Sequence, residues 1–185
     1  MIVRELILGG ARSGKSTLAL QRAHDSGRNV IFVATAQITD AEMQARILRH
    51  RSERPNHWQT VEVSAQLAST LSQLDDSQAV IVVDCMTLWL SNVLCIGRSD
   101  TPEFDPQFDD AAWQCERQLL LECLPTLQAE VVLVSNEVGW GIVPDNIVAR
   151  RFRDEQGRLN QLLAARCEQV TLVTAGLPLT LKSRA

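Results

Sequence analysis

Long uninterrupted hydrophobic runs, an excess of positive charge and close cysteine pairs are all missing from this 185-residue chain. The longest apolar stretch, Ala79 to Ile96, is broken by Asp84, Thr87, Ser91 and Asn92. It reads as a buried strand followed by a helix, and no membrane span is expected. The net charge is −4, so a nucleic-acid partner receives no general electrostatic support and none is expected. Phosphate affinity must then come from a local site. The five cysteines (Cys85, Cys95, Cys115, Cys123 and Cys167) are odd in number and form no C-x-x-C pair. A buried, reduced set is expected rather than a metal site or a disulfide framework. No signal peptide is visible, because the first ten residues lead directly into a strand, so the expected location is cytoplasmic. Repeats and low-complexity tracts are missing too. What is present is a 45% hydrophobic chain of a length that suits one domain over residues 1–185.

The stretch around which the rest is organised is Leu6-Ile7-Leu8-Gly9-Gly10-Ala11-Arg12-Ser13-Gly14-Lys15-Ser16. It contains the P-loop pattern Gly-x-x-x-x-Gly-Lys-Ser, set between an apolar strand and a helix over residues 16–26. Glycines let the backbone curl so that successive N–H groups point at phosphate oxygens, and the helix N-terminus adds its positive end. Lys15 is expected to reach the β and γ phosphates, and the Ser16 hydroxyl to hold Mg²⁺. Arg12, inside the loop, is read as a phosphate ligand. Arg22 is left between a phosphate ligand and a surface charge. His24 is read as a contact to the helix C-terminus, and His57 has no assigned role.

Further apolar runs at Asn29 to Ala34, Ala79 to Val83, Glu130 to Val134 and Gln169 to Thr174 are expected to be buried parallel strands. Gln59 to Val63 is expected as an edge strand and Leu177 to Leu181 as a short terminal one. Asp84 ends its strand as a Walker B acid would, a group that holds Mg²⁺ in P-loop proteins. Between the strands, a capping box at Thr39 to Glu42 opens a helix to about Arg54, stopped by Pro55. Ser64 is expected to cap a helix that buries Leu67, Leu71 and Leu74. Met86 to Cys95 reads as a helix, and residues 97–107 as a mobile loop or an insertion. A long helix from Asp109 to Leu127 is expected to bury Ala112, Cys115, Leu119 and Cys123. Asp145 is expected to cap another, with Val148, Phe152, Leu159 and Leu163 inward. Gly157 inside that helix costs about 1 kcal/mol relative to Ala, which predicts a close packing contact there. This alternation predicts an α/β fold with a mostly parallel sheet and helices on both faces.

Arg46, His50 and Arg54 recur every fourth residue and so share a helix face, with Arg49 and Arg51 beside it. Such a cluster of cations needs an anion between them. It pushes an imidazole toward its neutral, nucleophilic form, while the guanidinium groups bind the phosphate under attack. A surface histidine without a role is the alternative. Glu62 is either an exposed edge-strand acid or an acceptor of hydrogen bonds from a base or ribose. No Asn-Lys-x-Asp pattern is present to read guanine, so motifs alone do not separate ATP from GTP.

Several blocks in order carry a family resemblance. They are the P-loop, Ala34-Thr35-Ala36, Glu42-Met43 through Arg46, His50, Arg51 and Arg54-Pro55, and Asp84-Cys85-Met86-Thr87-Leu88-Trp89-Leu90-Ser91-Asn92. Asn136-Glu137-Val138-Gly139-Trp140-Gly141-Ile142-Val143-Pro144, Phe152-Arg153-Asp154 and Gly157-Arg158-Leu159-Asn160-Gln161 complete the set. Over nearly its whole length the chain resembles the bifunctional adenosylcobinamide kinase/adenosylcobinamide-phosphate guanylyltransferases of cobalamin biosynthesis. The resemblance implies a RecA-like P-loop domain that associates as a homotrimer. It implies phosphorylation of adenosylcobinamide by ATP or GTP, then transfer of GMP from GTP to adenosylcobinamide phosphate through a guanylylated His50. It also implies nucleotide contacts at Gly9, Gly10, Ala11, Arg12, Ser13, Gly14, Lys15, Ser16, Ala34, Thr35, Ala36, Arg51, Ser52, Glu53, Arg54, Glu62 and Asp84. The chain departs from the family pattern after Trp58, where Glu62 keeps the first acid and Val63-Ser64 follow instead of an acid and a proline.

Overall fold

The computed structural model describes residues 2–37, 44, 45, 48, 51, 54–94 and 109–183. Seven described strands form one sheet: β1 (Arg4–Gly9), β2 (Asn29–Ala34), β3 (Gln59–Glu62), β4 (Ala79–Asp84), β5 (Glu130–Asn136), β6 (Gln169–Thr174) and β7 (Leu177–Lys182). Their order across the sheet is β3-β2-β4-β5-β1-β6-β7. Every pairing is parallel except β6 with β7. The four central strands are buried along most of their length, as apolar runs on both faces require.

One face of the sheet is covered by α1 (Lys15–Asp25), whose Ala19 and Ala23 meet Ile7, Val82 and Val132. The other face carries α2 (Leu67–Gln73), α3 (Met86–Leu94), α4 (Asp110–Cys123) and α5 (Ile147–Arg166). Its core runs from Leu6 and Leu133 through Trp89 and Trp113 to Leu159 and Leu163. The two tryptophans are fully buried and meet edge to face, with centroids 5.4 Å apart. Such a pair adds about 0.5–1.5 kcal/mol beyond the area it buries. Their indole N–H groups donate to Ala65 O and Glu155 Oε2, so neither is orphaned.

Several expectations shift. In α4 the buried stripe is Trp113, Leu120 and Leu121; Cys115 is exposed and Leu119 is 46% exposed. Trp113 sets this phase, because the largest apolar side chain gains most from burial. The helix stops at Cys123, and Leu124–Thr126, with Pro125, make a tighter 3₁₀ turn. Gln66 rather than Ser64 precedes α2, and Leu74 is its half-buried C-cap. Asn146 rather than Asp145 caps α5, accepting from Val148 N and Ala149 N. The four described cysteines are free, and of these only Cys85 and Cys167 are buried. Burial pushes these two thiols up to about 11 and about 12. Cys95, the capping box at Thr39 and the loop at 97–107 lie outside the described residues. Among the described residues no helix is long and apolar enough to cross a membrane.

Candidate active site

The glycine loop sits at the carboxyl end of β1 and is bent by left-handed residues. Gly14 has φ 101° and Arg12 has φ 55°. A side chain at Gly9 would collide with Val173 O and Ser13 Oγ, and one at Gly14 would press on Gly176 Cα. The spacing of the glycines is therefore a steric requirement here as well as a motif. Two backbone bonds clamp the loop from neighbouring elements: Glu137 N donates to Gly9 O at 3.0 Å and Gly176 N to Ser13 O at 2.9 Å. Lys15 is 7% exposed, and its ammonium donates to Gly10 O, spanning the loop from within. Ser13 Oγ is buried without a hydrogen-bond partner among the described residues, an orphan that a phosphate oxygen would satisfy. Gly10 and Ser16 are half-buried, while Ala11 and Arg12 are exposed.

Strand register lines up the remaining candidates along the same edge. Glu62 pairs with Ala34, and Ala34 with Asp84, on β3, β2 and β4. Asn136 of β5 then pairs with Gly9 of β1. With strands about 4.8 Å apart, Glu62 lies roughly 19 Å across the sheet from Gly9, and Asp84 about half that. The edge is long enough for a whole nucleoside triphosphate. Thr35 is fully buried. Its hydroxyl donates to Cys85 O (2.7 Å) and accepts from Cys85 N (2.8 Å), which welds the exits of β2 and β4. The Thr35 side chain thus braces the edge from inside. Ala36 is half-buried next to it.

Arg54 is 8% exposed, with its guanidinium 3.9 Å over the Phe32 ring and Nη1 donating to Thr60 Oγ1 at 3.3 Å. This planar, weakly hydrated cation packs on an aromatic face and holds the start of β3. Arg51 and Glu62 are exposed. Arg22, at the far side of α1, pairs with buried Glu5 (3.4 Å). His24 is exposed in the last turn of α1, 3.4 Å from Asp25. His50, Arg46, Arg49, Ser52 and Glu53 lie outside the described residues. In sequence they fall between β2 and β3.

A polar network that the sequence reading did not single out lies where β5 meets α5. Asn160 Nδ2 donates to Glu137 Oε1 (3.0 Å) and to Asn136 O (3.1 Å). Gln156 Nε2 donates to Ser135 Oγ and to Asn160 Oδ1, both at 2.9 Å. The Asn136-Glu137 and Asn160-Gln161 blocks were its only signal in the sequence.

As a metal site the edge has the right donors. Ser16 offers a hydroxyl and Asp84 a half-buried carboxylate, hard oxygens suited to Mg²⁺. Among the described residues no group of three or more His, Cys, Asp or Glu side chains is placed to hold a metal ion. That fits Mg²⁺, which is usually bound by one or two carboxylates together with substrate phosphates and water.

A glycine loop between strand and helix, on a sheet where one strand separates it from the Walker B acid, defines a P-loop NTPase of RecA-like build. A solved ATPase from the type III secretion system of pathogenic bacteria has this fold, with a TM-score of 0.57 at 12% identity. The match covers 96% of this chain and 56% of that one, so the present chain spans about half of that ATPase. The chain belongs to the cobinamide kinase / cobinamide phosphate guanyltransferase family, whose model matches residues 5–181. It is 49% identical to the bifunctional adenosylcobalamin biosynthesis protein CobP of Pseudomonas aeruginosa, over 97% of this chain and 98% of the relative. It is 43% identical to the corresponding CobU protein of Escherichia coli K12, over 96% and 98%. The resemblance drawn from the motifs is thereby borne out, and with it the enzyme class.

Proposed function

We propose that this chain carries out two successive reactions of adenosylcobalamin biosynthesis within the one unit 1–185. In the first, the aminopropanol hydroxyl of adenosylcobinamide attacks the γ-phosphorus of ATP or GTP. The bond to the β–γ bridging oxygen breaks, and the hydroxyl proton is released. Lys15 and the loop N–H groups, from Gly9 to Ser16, stabilise the charge that gathers on the phosphates. When bound, Mg²⁺ on Ser16 and Asp84 supplies further charge neutralisation.

In the second reaction a His50 nitrogen attacks the α-phosphorus of GTP, and pyrophosphate leaves. The phosphate oxygen of adenosylcobinamide phosphate then attacks the same phosphorus, breaks the P–N bond and frees His50 with adenosylcobinamide-GDP formed. Arg51, Ser52, Glu53, Arg54, Glu62 and Ala34 to Ala36 contact the GTP in this reaction. The two reactions take place at two phosphorus atoms, γ and α, of nucleotides held by the one P-loop. Movement of GTP or of the His50 segment then joins them. A homotrimer in the cytoplasm, without nucleic acid, completes the reading.

The observation that carries it is the preformed phosphate cradle, with Lys15 inside it and Asp84 on the same edge, in a chain of this family. Incubation with α-labelled GTP and Mg²⁺ tests it. Acid-labile label is expected on the wild type and none on His50→Ala, with cobinamide gaining the mass of phosphate and then of GMP. Absence of label with phosphorylation intact leaves a kinase alone; absence of both overturns the proposal.

A further inference from the structure

Gly157 sits in the middle of the twenty-residue helix α5, where glycine is unfavourable. A close packing contact was the expected reason. The structure removes that reason, because a side chain at Gly157 would meet nothing within 4 Å. The space it would fill is an open groove of about 350 Å³ between α5 and the strands β1, β6 and β7, with Lys182 at its β7 side. Gly157, Asn160, Gln161 and Ala164 form its helical wall, with Glu137 and Leu8 among the facing residues. From Gly157 to Ala164 the wall is roughly 10 Å long. Its polar end is Glu137, whose N–H is bonded to the P-loop at Gly9. Asn160 holds Glu137 Oε1, and among the described residues no hydrogen bond reaches Oε2.

We propose that this groove is the acceptor pocket of the kinase reaction: it admits the slender hydroxyl-bearing arm of the cobinamide, and Glu137 Oε2 accepts the hydrogen bond of its hydroxyl. The inference rests on the kinase reading above. The volume suits an aminopropanol arm with an adjoining amide, and the larger corrin macrocycle stays outside. Gln161 at the exposed rim offers a carboxamide to pair with that amide. As the hydroxyl oxygen bonds to the γ-phosphorus and the β–γ bridge breaks, the proton passes to Glu137 Oε2. The bond's electron pair leaves on the nucleoside diphosphate. Asn160 positions the carboxylate, and Gly157 keeps the room.

The test measures cobinamide binding by equilibrium dialysis, read from its visible absorbance, for the wild type, Gly157→Leu and Glu137→Gln. Leucine suits a helix, so Gly157→Leu is expected to melt no lower than the wild type. It should bind cobinamide at least about tenfold more weakly while GTP affinity is unchanged. Glu137→Gln should still bind cobinamide, lose about 10²-fold in phosphorylation kcat, and retain GMP labelling of His50. Should Gly157→Leu fail to fold, Gln161→Trp at the rim is read in the same way. Wild-type affinity in the filled variant, full turnover in Glu137→Gln, or no cobinamide binding by the wild type overturns the pocket. Binding that Gly157→Leu abolishes, without any phosphorylation by the wild type, leaves the pocket standing and overturns the kinase reading instead.

Discussion

Glu155 and Gln156 are neighbours on α5, yet they anchor clusters of opposite character. Glu155 turns toward α4. Arg158 (2.6 Å) reaches its Oε1, Trp113 (2.8 Å) and Arg117 (3.4 Å) reach its Oε2, and Arg151 lies 3.4 Å from Oε1. Burial alone would raise this carboxyl, but those hydrogen bonds and charges outweigh it and hold it below the ordinary carboxylate range. Gln156 turns toward the exit of β5. Its amide nitrogen is used twice, its Oε1 is buried without a partner, and the network ends on a carboxylate with an open oxygen. Both clusters are polar and largely buried. What separates them is saturation. The filled cluster fixes one helix on another, and the unfilled one stands beside the phosphate loop with capacity left for a ligand.

Four substitutions break or sharpen this contrast. Glu155→Ala orphans the buried Trp113 indole N–H and removes the partner of three partly exposed arginines, and should cost about 3 kcal/mol in denaturant unfolding. The refolded variant should keep the wild-type KM for cobinamide; a raised KM would erase the distinction between the clusters. Because the folded-state pKa of Glu155 is depressed, its contribution is fully present above the unfolded carboxylate pKa. It disappears as pH falls through the folded value. The stability gap between wild type and Glu155→Gln should therefore close in acid and be constant at neutral pH. Asn160→Ala releases Glu137 and should cost about 1–3 kcal/mol. Its larger mark should fall on phosphorylation, with GTP affinity unchanged. Gln156→Leu should cost less than about 1 kcal/mol, since it removes the orphaned oxygen and leaves Ser135 Oγ donating to Asn160. A larger loss in that variant would show that the unfilled network is also structural.

Most of the fold was legible in the sequence because its signals are local. Central strands such as Ala79–Asp84 are continuous apolar runs, and the P-loop is a backbone device whose residues are consecutive. Errors arose where a distant partner decides. The stripe of α4 turns on Trp113, whose place is set by Trp89 and Glu155 from other elements. Nor does any local signal show that the Cys85 backbone, fifty residues away, takes the Thr35 hydroxyl. Gly157 was correctly marked as costly and given the wrong reason, since an empty volume leaves no trace in a helical pattern. The Glu137–Asn160–Gln156 network spans β5 and α5, and no spacing rule connects its members.

The clamp of Gly176 on the Ser13 carbonyl has a consequence for biosynthesis. The strand that leads into the glycine loop is flanked by β5 and β6, both made long after it has left the ribosome. The loop is translated well before the residue that braces it. A nascent chain therefore lacks this brace until translation has passed the β6–β7 turn. Such distant closure makes folding slow and leaves an apolar strand waiting for its neighbours.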